Sequence, residues 1–327
     1  MFPHAQPSRC RNCEPVPAQD DGRFGGSRHA INRNGSSAQL RVLVASYPHG
    51  GLHEQSEAAA ETPSAAAGCR REGERKTDIE ADPVHDPTYP PLNTLKPVAP
   101  NLWIVDSGPL HAFGMPLPVR MTVVRLYNGD LWLHSPTCFD ERLQQDLEAL
   151  GPIRHLVAPN VAHWTFLKEW QRHCPNALTW ATPNLRKRRQ VRQSELRLDH
   201  DLSDTAPTEW WGEFDQLIVP GGMGFREVAF FHTASRTLIL TDLVLNLEPD
   251  KLPWLMSPLM RLAGTTAPDG RAPIYLRAVI RLKKSDAARQ ARKLIGFAPE
   301  RVVFTHGAWF DRDAAHALTR SLRWLLS

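Results

Sequence analysis

The chain has no run of the ~20 apolar residues that crossing a bilayer requires, so neither a spanning segment nor a membrane partner is expected. Cysteine is scarce: there are five, an odd number, without the spacing of a disulfide framework. Such usage fits a reducing compartment better than a secreted scaffold. Cys10 and Cys13 are spaced like half of a zinc knuckle, but no second pair follows, so no metal is expected there. Charge of one sign is also lacking. The formal net charge of +4 does not by itself indicate a nucleic-acid partner. No apolar stretch of the signal-peptide kind opens the chain, and Glu14, Asp20 and Asp21 argue against a transit peptide. A soluble cytoplasmic location is the expectation.

Aromatic side chains are scarce in the first part of the sequence. Tryptophan does not occur before Trp103, and Ser, Ala, Gly and Pro dominate up to residue 92. Leu40–Tyr47 is the one apolar island there, too short to fold alone. So little apolar area cannot offset the entropy of ordering the chain. Residues 1–92 are therefore expected to be a disordered extension, and residues 93–327 a single domain.

What the domain contains alternates in period. Asn101–Ser107 and Met121–Leu126 read as strands separated by a Gly/Pro loop, and Leu131–His134 follows an Asn-Gly turn. These three predict a β-meander. Asp140–Leu150 reads as a helix stopped by Gly151, Ile153–Ala158 as a strand, Thr165–His173 as a helix and Ala177–Ala181 as a strand. Ser285 is expected to cap a helix over Asp286–Ile295. Arg301–Phe304 reads as a strand and Asp313–Leu326 as a closing helix. Strand–helix alternation after a meander predicts an α/β layered fold.

The stretch from Glu227 to Asn246, EVAFFHTASRTLILTDLVLN, predicts a hairpin: Glu227–His232, a polar turn, and Thr237–Leu247. Asp242 interrupts the second, apolar run and needs solvent, a hydrogen bond, a counter-charge or a metal. With the turn centred between Ala234 and Ser235, Glu227 falls opposite Asp242, and directly paired residues have Cβ atoms ~5 Å apart. Two carboxylates that close need a proton or a cation between them. His232, at the tip and ~16 Å from Asp242 at strand rise, is expected to be a bystander. Asn160 and His163 follow another strand end and His306 follows a third, which is where α/β scaffolds place sites.

The runs LKPVAPNLWIVDSG, RMTVVRL, GDLWLHSP, LVAPNVAHW, HTASRTLILTDL and VVFTHG resemble the DUF4336 family, a divergent branch of the metallo-β-lactamase-fold superfamily, over residues 93–327. The resemblance implies an αββα sandwich, two mixed sheets back to back with helices outside. It also implies a metal centre. The superfamily's His-x-His-x-Asp-His motif falls on Ala158 to His163, where only His163 keeps its type, and Ala158, Asn160 and Ala162 stand in for the others. The bridging carboxylate corresponds to Asp242 and the last histidine to His306. The histidine expected before Asp242 falls in the Gly221–Gly224 turn and is absent.

The expected centre is thus a single divalent metal (Zn, Fe or Mn) on His163, Asp242 and His306, with Glu227 and Asn160 as ligands or supports. His134 stands where the superfamily has an orienting aspartate and is a possible further support. The implied activity is metal-dependent hydrolysis of a small-molecule substrate, with Asp242 or Glu227 holding or deprotonating water. The alternative is a catalytically degenerate binding or scaffold protein. A third reading, a nucleic-acid binder using Arg186–Arg192, is disfavoured because no aromatics interleave that basic run. Its first meaning is a solvated face. Oligomeric state is left open.

Overall fold

The domain opens, as its β-prone runs require, with four antiparallel strands: β1 (Lys96–Ala99), β2 (Leu102–Ala112), β3 (Met115–Arg125) and β4 (Leu131–His134). The computed structural model describes residues 86–112 and 115–327. The expected Gly/Pro loop between β2 and β3 is instead a continuation of the hairpin, paired as far as Ala112 opposite Met115. Gly108 and Pro109 fall at a break in register between Ser107 and Leu110, where a missing N–H costs no ladder bond. Pro116 and Pro118 lie on the part of β3 beyond its pairing with β4, which covers only Thr122–Arg125.

Helix α1 (Glu141–Leu150) follows, capped by Asp140, whose side chain accepts from the N–H groups of Arg142 and Leu143. Next come β5 (Ile153–Ala158), α2 (Leu167–His173), β6 (Leu178–Ala181), α3 (Arg189–Gln193) and β7 (His200–Asp201). Strands β4 to β7 are parallel and complete a seven-stranded sheet in the order β1 to β7.

The second sheet begins with β8 (Phe214–Pro220), β9 (Arg226–His232) and β10 (Thr237–Ile239). The register is the one expected: Thr237 lies opposite His232 and Ile239 opposite Phe230. The expected second strand is broken, however. It ends at Ile239, and the chain bends before β11 (Leu245–Asn246) joins a different partner. After α4 (Ser257–Ala263), α5 (Ile274–Arg281) and α6 (Lys284–Gly296) come β12 (Arg301–Val303), β13 (His306–Gly307) and α7 (Ala314–Leu326). Strand β12 pairs parallel to β10 and completes the four-stranded order β12-β10-β9-β8, while β13 pairs parallel to β11. Ser285 is not the cap of α6; the helix starts one residue before it.

The two sheets meet through one core. Trp132, Val157 and Trp180 of the first pack with Phe214, Phe230 and Ile239 of the second. On the other face of the first sheet, Leu131, Leu133 and Leu156 pack against Leu143 and Leu147 of α1. Alternate residues of β4 therefore serve different layers, and all four are buried. Helices α6 and α7 cover the second sheet at β8 and β12. This is the αββα sandwich. Trp132 meets Phe230 edge-on at 4.9 Å, a pair worth about 0.5–1.5 kcal/mol beyond area burial. Among the described residues no helix is long and apolar enough to cross a membrane.

The extension expected over residues 1–92, with Cys10 and Cys13, falls outside the described residues except for its last seven. Of those, 86–92, Pro87 and Thr88 are buried, and Tyr89 lies under Arg120 (5.2 Å) and Lys251 (4.9 Å), its carbonyl accepting from Lys96.

His155 of β5 is buried in the inter-sheet layer and accepts from Trp180 Nε1 at 3.1 Å. Burial pushes its imidazole down from the usual 6.5 to about 4. The folded chain thus stays neutral there while the unfolded chain takes a proton. Stability is fully present above pH 6.5 and is lost as pH falls toward 4, by about 3 kcal/mol. His155→Gln keeps an acceptor without the titration. Its urea midpoint is expected to fall less than wild type's between neutral pH and pH 4; parallel profiles would exclude this origin.

Candidate metal centre

Asp242 lies in the bend between β10 and β11, and its backbone is held from below. Glu227, fully buried on β9, accepts from the N–H groups of Thr241 (2.8 Å), Asp242 (2.9 Å) and Leu243 (3.3 Å). These bonds replace the ladder that the broken strand gives up. The ladder expected to set Glu227 opposite Asp242 ends at Ile239, and it is the Glu227 side chain that reaches the bend, its oxygens accepting from the backbone there. Burial and the Asp242 charge push the Glu227 carboxyl up, against the pull of the three donors.

Asn160, at 0 % exposure, is the hub between loops. Its Nδ2 donates to Asp242 Oδ2 at 2.8 Å, and its Oδ1 accepts from the N–H groups of Ala162 and His163. It therefore fixes the turn that presents His163 while also holding the aspartate. Nε2 of His163 stands 3.3 Å from Asp242 Oδ1, and Nε2 of His306 stands 3.4 Å from the same oxygen. Gly307 permits this approach. Its φ is +96°, and a Cβ there would sit 2.3 Å from the Asn246 carbonyl oxygen.

The other ring nitrogens are occupied. His163 Nδ1 shares a hydrogen bond with Ser135 Oγ, and His306 Nδ1 is 2.7 Å from the Pro118 carbonyl oxygen. A carbonyl can only accept, so His306 carries its proton on Nδ1, and a neutral ring presents a lone pair at Nε2. That lone pair faces a carboxylate oxygen. Two acceptors so placed require a proton or a cation between them. Burial would raise the Asp242 carboxyl, but attraction and hydrogen bonds from His163 and His306 outweigh it and hold it well below the usual range. The ligating atoms of His163, Asp242 and His306 all lie within 4.8 Å of one another, so the trio could hold one metal ion. Two imidazoles with their far nitrogens engaged, plus one carboxylate, suit that use.

The three residues expected to converge are thus together, with Asn160 and Glu227 behind them. His232 is at the hairpin tip, bound to Ser235 Oγ. His134 is buried against Trp132 (5.5 Å) and Phe230 (5.7 Å), and among the described residues no hydrogen-bond partner meets its Nε2. Burial pushes it down to about 3, with the His163 charge a lesser cause. Within the basic run, Arg186 pairs with Asp201 and Arg188 turns onto the Val161 carbonyl at 2.6 Å.

Sequence reasoning missed three contributors, the Pro118 carbonyl, Ser135 and Arg120. Ser135, just past β4, has φ +53°, a left-handed conformation uncommon for a non-glycine residue and often found beside functional groups. Arg120 of β3 is buried, paired with Asp106 at 2.6 Å, and donates to the carbonyls of Phe304 and Gly307 on either side of His306. A lone arginine among β-prone residues was the only signal for it.

Residues 101–268, just over half of the chain, match the family described as "Domain of unknown function (DUF4336)". The chain belongs to the DUF4336 family. Its fold is similar to that of a metallo-beta-lactamase from Pontibacter korlensis, at 15% identity and TM-score 0.50, covering 71% of this chain and 98% of that one. A metallo-beta-lactamase from Hirschia baltica is 11% identical with TM-score 0.47, covering 73% and 98%. No curated protein matches the chain. The chain thus has the metallo-β-lactamase fold.

Proposed function

We propose that this DUF4336 protein is a metal-dependent hydrolase with a single-metal centre held by His163, Asp242 and His306. The observation that carries the reading is the pair of imidazole Nε2 atoms converging on one oxygen of Asp242. When bound, a divalent ion supplies polarisation of a substrate oxygen and of water at neutral pH. Zinc is the first choice for two histidines and one carboxylate, with iron or manganese compatible.

The chain's own part is positioning. Ser135 and the Pro118 carbonyl aim the two rings, and Asn160 orients the carboxylate. Glu227 acts through the backbone of residues 241–243, as a positioning residue rather than a ligand. Asp242, held ionised, supplies the cluster's negative charge and can orient water by accepting a hydrogen bond from it. A small-molecule ester, thioester, lactone or phosphodiester fits this chemistry. The replacements Ala158, Asn160 and Ala162 favour a second reading, a non-catalytic member that binds a small molecule on the same scaffold.

Metal analysis of the purified full chain by mass spectrometry tests the centre. About one equivalent is expected in wild type and under a tenth of that in Asp242→Ala and His306→Ala. Added zinc at about a hundred times its Kd should stabilise wild type by about 2.7 kcal/mol and leave Asp242→Ala unmoved. Metal-free wild type whose melting ignores zinc would refute the centre and leave the second reading.

A further inference from the structure

Helix α4 has two apolar faces. Met256 and Met260 turn inward onto a small core of Met115, Leu117, Leu247 and Leu252. Leu259 and Leu262 on α4, and Leu255 in the turn just before it, are exposed, with relative exposures of 53%, 85% and 68%. Trp254, just ahead of them, is 72% exposed. On α5, Leu276, Val279 and Ile280 are buried, while Ile274, Tyr275 and, just past its end, Leu282 are exposed. Arg277 of α5 donates to the Ala263 carbonyl at 2.7 Å and ties the end of α4 to this second helix. Exposed large apolar groups grouped in this way mark an interaction surface.

The charges around them have one sign. Arg261, Arg281, Lys283 and Lys284 are exposed. The one acid between Lys251 and Lys284 is Asp269, and it is engaged by Arg320 at 2.6 Å. A second copy docked face to face would set this cationic rim against itself. Nucleic acid would satisfy the cations but leave the leucines without a partner. An anionic bilayer surface complements both, taking leucine, tryptophan and tyrosine at the headgroup boundary while its phosphates meet Lys and Arg. That no helix among the described residues is long and apolar enough to cross a membrane is compatible with lying on one.

We propose that the outward face of α4 and α5 docks the protein on anionic lipid membranes. This holds whether or not the metal centre is catalytic.

Co-sedimentation of the full chain with vesicles tests it, comparing phosphatidylcholine alone with phosphatidylcholine containing about one third phosphatidylserine. Wild type should partition onto the anionic vesicles at least about tenfold more strongly than onto neutral ones. Leu255→Ser with Leu262→Ser, and separately Lys283→Glu with Lys284→Glu, should each weaken that binding about tenfold or more. All four residues are exposed, so melting temperature should not change. Four outcomes overturn the proposal: no partitioning of wild type, equal partitioning onto both vesicles, binding that neither double variant weakens, or a concentration-dependent dimer that the leucine variant abolishes without vesicle binding by wild type.

Discussion

Glu227→Leu is expected to lower the unfolding free energy by about 3–5 kcal/mol, read as a fall in the urea midpoint at constant slope. The carboxylate accepts from three consecutive backbone N–H groups, and leucine accepts none. Each buried donor left unpaired costs about 1–3 kcal/mol. The sum is reduced because leucine also removes a costly buried charge beside Asp242. Glu227→Gln keeps one acceptor oxygen but turns an NH2 toward the remaining donors, and should lose about half as much. Both variants should retain less metal than wild type, since the segment they loosen carries Asp242. A loss below about 1 kcal/mol in Glu227→Leu would mean that the bend satisfies its own N–H groups once the carboxylate is gone.

The hairpin shows where sequence reasoning succeeded. A turn centred between Ala234 and Ser235 predicts the register observed, with Thr237 opposite His232 at the tip. What it could not show was that β10 stops at Ile239, because a side chain reaching up from β9 replaces the ladder. Asp140, expected as the first helical residue, is instead the cap of α1, and Ser285, expected as a cap, lies inside α6, which begins one residue earlier and has no side-chain cap. The β2–β3 hairpin was cut short on paper by its prolines. Proline disfavours a strand only where its N–H is needed, and here a register break and an unpaired edge remove that need. In the site, His163, Asp242 and His306 were legible as ligand-type residues at strand ends. Ser135 and Pro118 were not. A backbone carbonyl 188 residues from the histidine it orients leaves no trace in composition or spacing.

Arg120 is such a long-range element, and its removal should separate stability from site geometry. It is buried, faces Asp106 across β2 and β3, and bonds two carbonyls around His306. Breaking a buried ion pair from one side costs about 3–5 kcal/mol. Lys96, 2.8 Å from the other Asp106 oxygen, remains to screen the orphaned charge, so the lower end is expected for Arg120→Leu. Removing both charges, as Arg120→Leu with Asp106→Leu, should recover most of that loss, because a well-packed apolar pair can replace a buried ion pair at little cost. Metal retention should behave differently. The carbonyls of Phe304 and Gly307 lose their donor in both variants, and with it the tether on His306. Lost support of this kind typically weakens metal binding 10–100-fold. The double variant is thus expected to be more stable than Arg120→Leu alone yet hold metal at least about tenfold more weakly than wild type. If the double variant binds metal as wild type does, Arg120 serves only to neutralise Asp106, and β13 alone places His306.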